Sequence, residues 1–262
     1  MFGSILGDIA GSRFEFSKPK GFNPKTVELF ADDCFFTDDT VMSIATKYAV
    51  LGGYSYRAAY TELGKKYPSA GYGTMFKKWL NDPAHKPYNS YGNGSAMRVG
   101  FIGEHFETLE DVKREARESA SCTHNHPDGM QGAEATAVCV YLARNGCSKR
   151  EIASYMRRCY GYNVDTSLCF RRPFSKFDIR CNKTVPLAVR CFLESSDWES
   201  CIRNVLSVTC DTDTVGCIAG GIAEAYYGET GFDNIAILRR YLTKAKIQGR
   251  PDMFLFNWAS MN

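Results

Sequence analysis

The sequence predicts an all-α protein, folded as one domain across residues 1–262. Apolar residues recur at helical spacing in a series of segments, while period-two alternation is scarce and β-branched runs are short. No Pro-, Gly- or Ser-rich linker divides the chain, and this predicts the single domain.

The first clear helix spans residues 40–51, where Val41, Ile44, Ala45, Tyr48 and Ala49 form one core-facing stripe. Residues 109–120 are charged and amphipathic. Residues 129–143 are small and apolar around Glu134, which predicts a buried helix. Residues 149–160 follow Ser148, with Glu151 three positions on, the signature of a capping box. Residues 185–194, 198–208 and 215–227 continue the series. Three segments resist a helical reading. Residues 12–36 are Phe-rich and irregular. Residues 81–98 hold Pro83, Pro87, Gly92 and Gly94, and residues 165–184 are basic and aromatic around Pro173. Long loops in a compact domain are often functional.

Composition narrows the class. The 262 residues are 44% hydrophobic and 23% charged, with 23 Gly and 9 Pro, which excludes disordered and collagen-like chains. The formal charge of +3 comes from 32 basic and 29 acidic residues, a balance that predicts neither nucleic-acid nor membrane-surface binding. No apolar run reaches the roughly 20 residues of a membrane span, and the N-terminus lacks a signal-peptide pattern. The eleven cysteines form no CxxC pair and read as reduced thiols, mostly in the core, in a cytoplasmic protein. The chain is expected to act as a monomer.

Two strings carry the most chemistry: Thr37-Asp38-Asp39-Thr40 and Asp211-Thr212-Asp213-Thr214, each opening a helical segment. One reading is capping, in which a carboxylate gains about 0.3–1 kcal/mol from the helix dipole. Capping needs one side chain per helix, so most of these carboxylates would be surplus. Asp and Thr oxygens are hard donors that suit Mg²⁺, Mn²⁺ or Ca²⁺ rather than zinc. If the two helix starts converge, they could hold one or two such ions. Spacing leaves both readings open.

Asp8 and Glu15 make a further acidic pair. Glu15 sits between Phe14 and Phe16, where a raised pKa would let it carry protons, or it pairs with Arg13. The loop Ser90-Tyr91-Gly92-Asn93-Gly94 is either a plain turn or a nest of N–H groups for an anion. His124-Asn125-His126 lacks partners at zinc-finger spacing; one imidazole could hold a phosphate or hydroxyl while the other is solvated.

In this order the strings resemble the ADP-ribosylglycohydrolase family. The matching blocks run from Gly3 to Gly11 with Glu15, through residues 37–40, 91–98 and Thr123-His124, to residues 211–221 and Tyr227-Gly228. The resemblance implies an orthogonal helical bundle with a binuclear Mg²⁺ centre in a cleft, Mn²⁺ being the alternative. The implied metal ligands are Thr37, Asp38, Asp39, Asp211, Asp213 and Thr214. Asp38, Asp39 and Glu15 would be catalytic, while Ser90, Tyr91, Gly92, Asn93, Gly94 and His124 would bind substrate. The implied reaction cleaves the bond at the anomeric carbon of the distal ribose, freeing ADP-ribose from a protein or small-molecule conjugate. Thr209-Cys210 stand where the family usually has two glycines, and the chain is shorter than many members. Both departures bear on acceptor specificity. A metal-dependent phosphoester or phosphoanhydride hydrolase and a non-catalytic ADP-ribose binder are the competing readings.

Overall fold

Helices form where the apolar spacing predicts them, and small residues decide which helices touch. The computed structural model describes residues 1–244, 246–247 and 250–261. Its helices are α1 (Phe2–Ser12), α2 (Asp38–Gly52), α3 (Tyr56–Lys66), α4 (Thr74–Asn81), α5 (Gly100–His105), α6 (Leu109–Ser121) and α7 (Pro127–Arg144). They continue as α8 (Lys149–Tyr160), α9 (Leu168–Arg171), α10 (Cys181–Leu193), α11 (Trp198–Leu206), α12 (Thr212–Tyr227), α13 (Asn234–Leu242) and α14 (Phe254–Ser260). Two-residue strands at Lys246–Ile247 and Arg250–Pro251 pair antiparallel, with Lys246 opposite Pro251. The protein is all-α, as predicted.

Local signals explain most boundaries. Ser148 and Glu151 close the capping box of α8, which ends at Gly161 with φ of 67°. Helix α10 starts at Cys181, inside the segment expected to be a loop. The start is fixed from a distance, Cys181 N–H donating to the Tyr91 carbonyl, while Arg180 O accepts locally from Lys183 and Thr184. Helix α3 was legible but not assigned from sequence. Ser55 caps it, and Tyr56, Ala59, Tyr60 and Leu63 share its buried face.

The core is centred on α7 and α12. Helix α7 is buried along most of its length, as its small apolar residues predict, and α12 packs on α1, α7, α10 and α11. The closest pairing is α1 with α12. A Cβ on Gly7 would lie 2.1 Å from the Gly216 carbonyl oxygen, and one on Gly216 would lie 2.5 Å from that of Gly7. Gly3 meets Gly220, and Gly11 meets Thr212, in the same way. Glycine every fourth residue therefore brings backbone against backbone. Thr212 Oγ1 donates to Gly11 O at 2.8 Å, locking the end of the pair where Asp8 and Asp213 lie.

The eleven cysteines are all free, and most are buried, as expected for core thiols. No helix among the described residues is long and apolar enough to cross a membrane.

Candidate active site

The site is built where α1, α2 and α12 meet. Asp8 on α1 is fully buried and holds the start of α2. Its Oδ2 accepts from the backbone N–H of Thr37 and Thr40 and from Thr40 Oγ1, while its Oδ1 accepts from Thr37 Oγ1 at 2.8 Å. Thr37 Oγ1 in turn accepts from Asp39 N–H at 3.2 Å, so a threonine performs the capping. At α12 the N-cap is Asp211, whose side chain makes no capping bond. The carboxylates of Asp38, Asp39, Asp211 and Asp213 are thus not spent on caps.

Those carboxylates converge. Single oxygens of Asp8, Asp39 and Asp213 lie within 4.8 Å of one another, and so do oxygens of Glu15, Asp211 and Asp213. Asp213 belongs to both groups. Asp38 lines the same cavity near Gly71, whose missing Cβ leaves room beside Asp38 Oδ1. Thr37 Oγ1 and Thr214 Oγ1 approach Asp39 Oδ2 at 3.3 and 3.2 Å. The other oxygen of Asp39, Oδ1, is buried without a hydrogen-bond partner.

Burial dominates the electrostatics. It raises Asp8 to a pKa of about 6, against the pull of its donors Thr37 and Thr40. Burial, then the charges of Asp8 and Asp211, raise Asp38 to about 7. Burial, then Asp211, Asp38 and Asp8, raise Glu15 to about 7. Asp39 and Asp213 are pushed well up by burial and by their carboxylate neighbours. Crowded like charge in a buried space is relieved by taking up protons or by a bound cation. An all-oxygen donor set with an orphaned buried oxygen fits a hard divalent ion, and the carboxylates grouped closely enough to hold one are Asp8, Asp39 and Asp213, and Glu15, Asp211 and Asp213.

Glu15, Asp38, Asp39, Asp211 and Asp213 line a cavity of about 410 Å³, together with Ser90, Gly92, Asn93, Gly94 and His124. The amides of Gly92 and Asn93 are already engaged, by Ser90 Oγ at 3.1 Å and Ile179 O at 2.7 Å. Two of the five amides of the 90–94 loop thus have partners within the protein, one in the loop and one at Ile179. Asn93 acts through its side chain instead: Nδ2 donates to Asp211 Oδ2 at 2.8 Å and to Thr184 Oγ1 at 3.2 Å. Tyr91 is half exposed, and its ring packs edge-on against His126 rather than lining the cavity.

His124 is buried, and burial with the Arg98 charge keeps it neutral. Arg98 donates to Thr123 Oγ1, which sits 2.8 Å from His124 Nδ1. Nε2 faces Gly92 and Gly94, and the Nδ1–Thr123 contact works with either neutral tautomer, since Thr123 Oγ1 also has the Ala120 carbonyl as an acceptor. His126 caps α7, accepting from Asp128 N–H. Arg13 pairs with Asp33 at 2.6 Å, not with Glu15.

Sequence reasoning missed part of the wall: Gly71, Gly73, Met75 and Phe76 around the start of α4, with Tyr88 and Ile179. Gly71 and Gly73 were the available signal, being two glycines just before a helix.

Residues 1–249 match the family model described as ADP-ribosylglycohydrolase. The chain is 29% identical to ADP-ribosylhydrolase ARH3 of Mus musculus, over 86% of this chain and 82% of that protein. It is 30% identical to ADP-ribosylhydrolase ARH3 of Bos taurus, over 74% of this chain and 70% of that protein. A solved structure titled ADP-ribosylglycohydrolase-related protein complex superposes with a TM-score of 0.73 at 20% identity, covering 98% of this chain and 93% of that one. With an all-α fold and an acidic cleft at the meeting of α1, α2 and α12, the chain belongs to the ADP-ribosylglycohydrolase family and is a glycosidic-bond hydrolase.

Proposed function

We propose that the protein removes ADP-ribose from a modified acceptor by hydrolysing the bond at the anomeric carbon of the distal ribose, in a Mg²⁺-dependent reaction. The convergence of Glu15, Asp38, Asp39, Asp211 and Asp213 on one cavity carries this reading. Thr37, Asp38, Asp39, Asp211, Asp213 and Thr214 would hold two ions, Mg²⁺ or Mn²⁺. Bound there, the ions would supply positive charge for the ribose hydroxyls and for an attacking water.

The chain's own residues do the rest. Asp38 and Asp39 orient that water and accept its proton. Glu15, half buried at the cavity wall, stands where it can hand a proton to the departing acceptor or shield the site. Carboxylates in different protonation states suit an oxocarbenium-like transition state. Asn93 fixes the orientation of Asp211, while His124 Nε2 and Ser90 Oγ offer polar contacts to the substrate. Residues 1–262 act as one unit, and as a monomer.

The test is a panel of ADP-ribosylated acceptors incubated with the protein and Mg²⁺, with and without chelator. The expected product is free ADP-ribose, only in the metal-containing arm. Release of AMP or inorganic phosphate instead would move the reaction to the diphosphate and overturn the reading.

A further inference from the structure

Among the described residues that line the cavity, Glu15, Asp38, Asp39, Asp211 and Asp213 are acidic, and Arg98 alone is a cation. His124 stays neutral, held so first by burial and then by the Arg98 charge. A ligand that carries a diphosphate therefore meets one source of positive charge in the protein's own wall.

The surroundings of Arg98 leave that charge unbalanced. Its side chain is 1% exposed. Arg190 and Arg203 pair with Glu194 and Glu199, whereas Arg98 pairs with no carboxylate among the described residues. Both of its hydrogen bonds run from Nη2, to Ser119 O and Thr123 Oγ1, each at 2.8 Å. Its Nε is buried without a partner. The guanidinium carbon lies 4.1 Å from the centre of the Tyr60 ring, which attracts a cation but carries no net charge. Ser119 belongs to the last turn of α6, and a helix C-terminus supplies about half a negative charge. The rest is uncompensated in a place that water does not reach. Burying such a charge is costly, and closing the end of α6 needs only a neutral donor.

The charge bears on the cavity wall. Thr123 Oγ1, which accepts from Arg98, lies 2.8 Å from His124 Nδ1, and His124 Nε2 faces Gly92 and Gly94. The Tyr88 ring, 5.6 Å from that of His124, belongs to the same wall.

We propose that Arg98 is a specificity-determining residue for the anionic part of the ligand: its unpaired charge draws the diphosphate of ADP-ribose to the wall formed by His124 and residues 90–94. This deepens the reaction proposed above and rests on it.

The experiment measures, by calorimetry at pH 8, ADP-ribose binding at saturating Mg²⁺ and Mg²⁺ binding without ADP-ribose. Arg98→Gln removes the charge; Arg98→Lys keeps it and loses the planar fork. Arg98→Gln should weaken ADP-ribose about tenfold or more, while Arg98→Lys should stay within about threefold of the parent. Mg²⁺ should bind Arg98→Gln as tightly as the parent or more tightly, because a nearby positive charge has gone. A buried arginine can be needed for folding, so a second pair leaves it in place. Thr123→Asp sets a carboxylate against the guanidinium, and Thr123→Asn is its uncharged control. ADP-ribose should bind Thr123→Asp about tenfold or more weakly than Thr123→Asn. Equal losses in Arg98→Gln and Arg98→Lys, a fall in Mg²⁺ affinity alongside, or parent-like ADP-ribose affinity in Arg98→Gln would each overturn the proposal. If neither Arg98 variant folds, equal affinities in the two Thr123 variants overturn it. A parent that binds no ADP-ribose at saturating Mg²⁺ sinks the proposed reaction itself, and the role of Arg98 with it.

Discussion

Asp213 belongs to both carboxylate groupings, so it is the residue at which capping and metal chemistry separate most sharply. Its Oδ1 accepts only from the N–H of its neighbour Thr214, at 2.9 Å, a contact that Asn would preserve. Asp213→Asn and Asp38→Asn should each lower turnover on an ADP-ribosylated substrate roughly 10²–10⁴-fold at saturating Mg²⁺. Initial rates decide this: parent-like rates in both variants would return the two strings to plain helix starts. Asp8 behaves differently, because it accepts from two amides and two hydroxyls and has no room for a donor. Asp8→Asn puts an NH₂ group among donors. It should cost about 1–3 kcal/mol of stability even with chelator present, measured by urea unfolding. Under the same conditions Asp213→Asn should stabilise the fold, since it removes one of several crowded like charges.

The element that matters most is the α1–α12 pair. Its glycines allow a backbone approach that no other residue would permit, and that approach sets how far Asp8 lies from Asp213. Gly7→Ala would place a methyl 2.1 Å from the Gly216 oxygen, backbone against backbone, with no flexible side chain to yield. A loss of about 1–3 kcal/mol or more is expected, together with weaker metal binding because the carboxylates move apart. Gly73→Ala is the control: its added Cβ meets nothing within 4 Å, and its φ is an ordinary −61°. That change should stay within about 1 kcal/mol of the parent. Calorimetric Mg²⁺ titration of the two variants, beside their thermal melts, tests the pair.

For the molecule as a whole, the raised carboxylate pKa values set how stability depends on pH when metal is absent. Asp8 titrates at about 6 and Asp38 and Glu15 at about 7 when folded, above ordinary values of 3.8 and 4.5. Between those limits the folded protein binds more protons than the unfolded chain, so these groups make stability fall as pH rises from about 4 through 7. Chelated protein should therefore melt lower at pH 7.5 than at pH 5.5, with the slope reduced in Asp38→Asn. Adding a divalent ion should reverse the neutral-pH loss. At a metal concentration 100 times its dissociation constant, the gain is about 2.7 kcal/mol. Melting curves that do not change with chelator or pH would contradict both expectations.

The sequence by itself determined the all-α class, because spacing at i, i+3 and i+4 is a property of neighbours along the chain. It also exposed the two Asp–Thr strings, the Ser148 cap and the irregular segments, each legible from residue type and order. The roles of Asn93, Tyr91 and the 90–94 amides were not legible. Asn93 depends on Ile179, Thr184 and Asp211, about ninety residues or more along the chain, and the Tyr91 ring on His126. Only the tertiary structure showed that Asp8 and Thr37 meet the needs of the α2 start, leaving Asp38 and Asp39 free, and that Asp211 makes no capping bond at α12. It alone brought Phe16 against Phe177. The physical reason is common to all of these: helix formation is settled by local backbone geometry, whereas a cluster of like charges or an aromatic pair exists only once packing has paired distant segments.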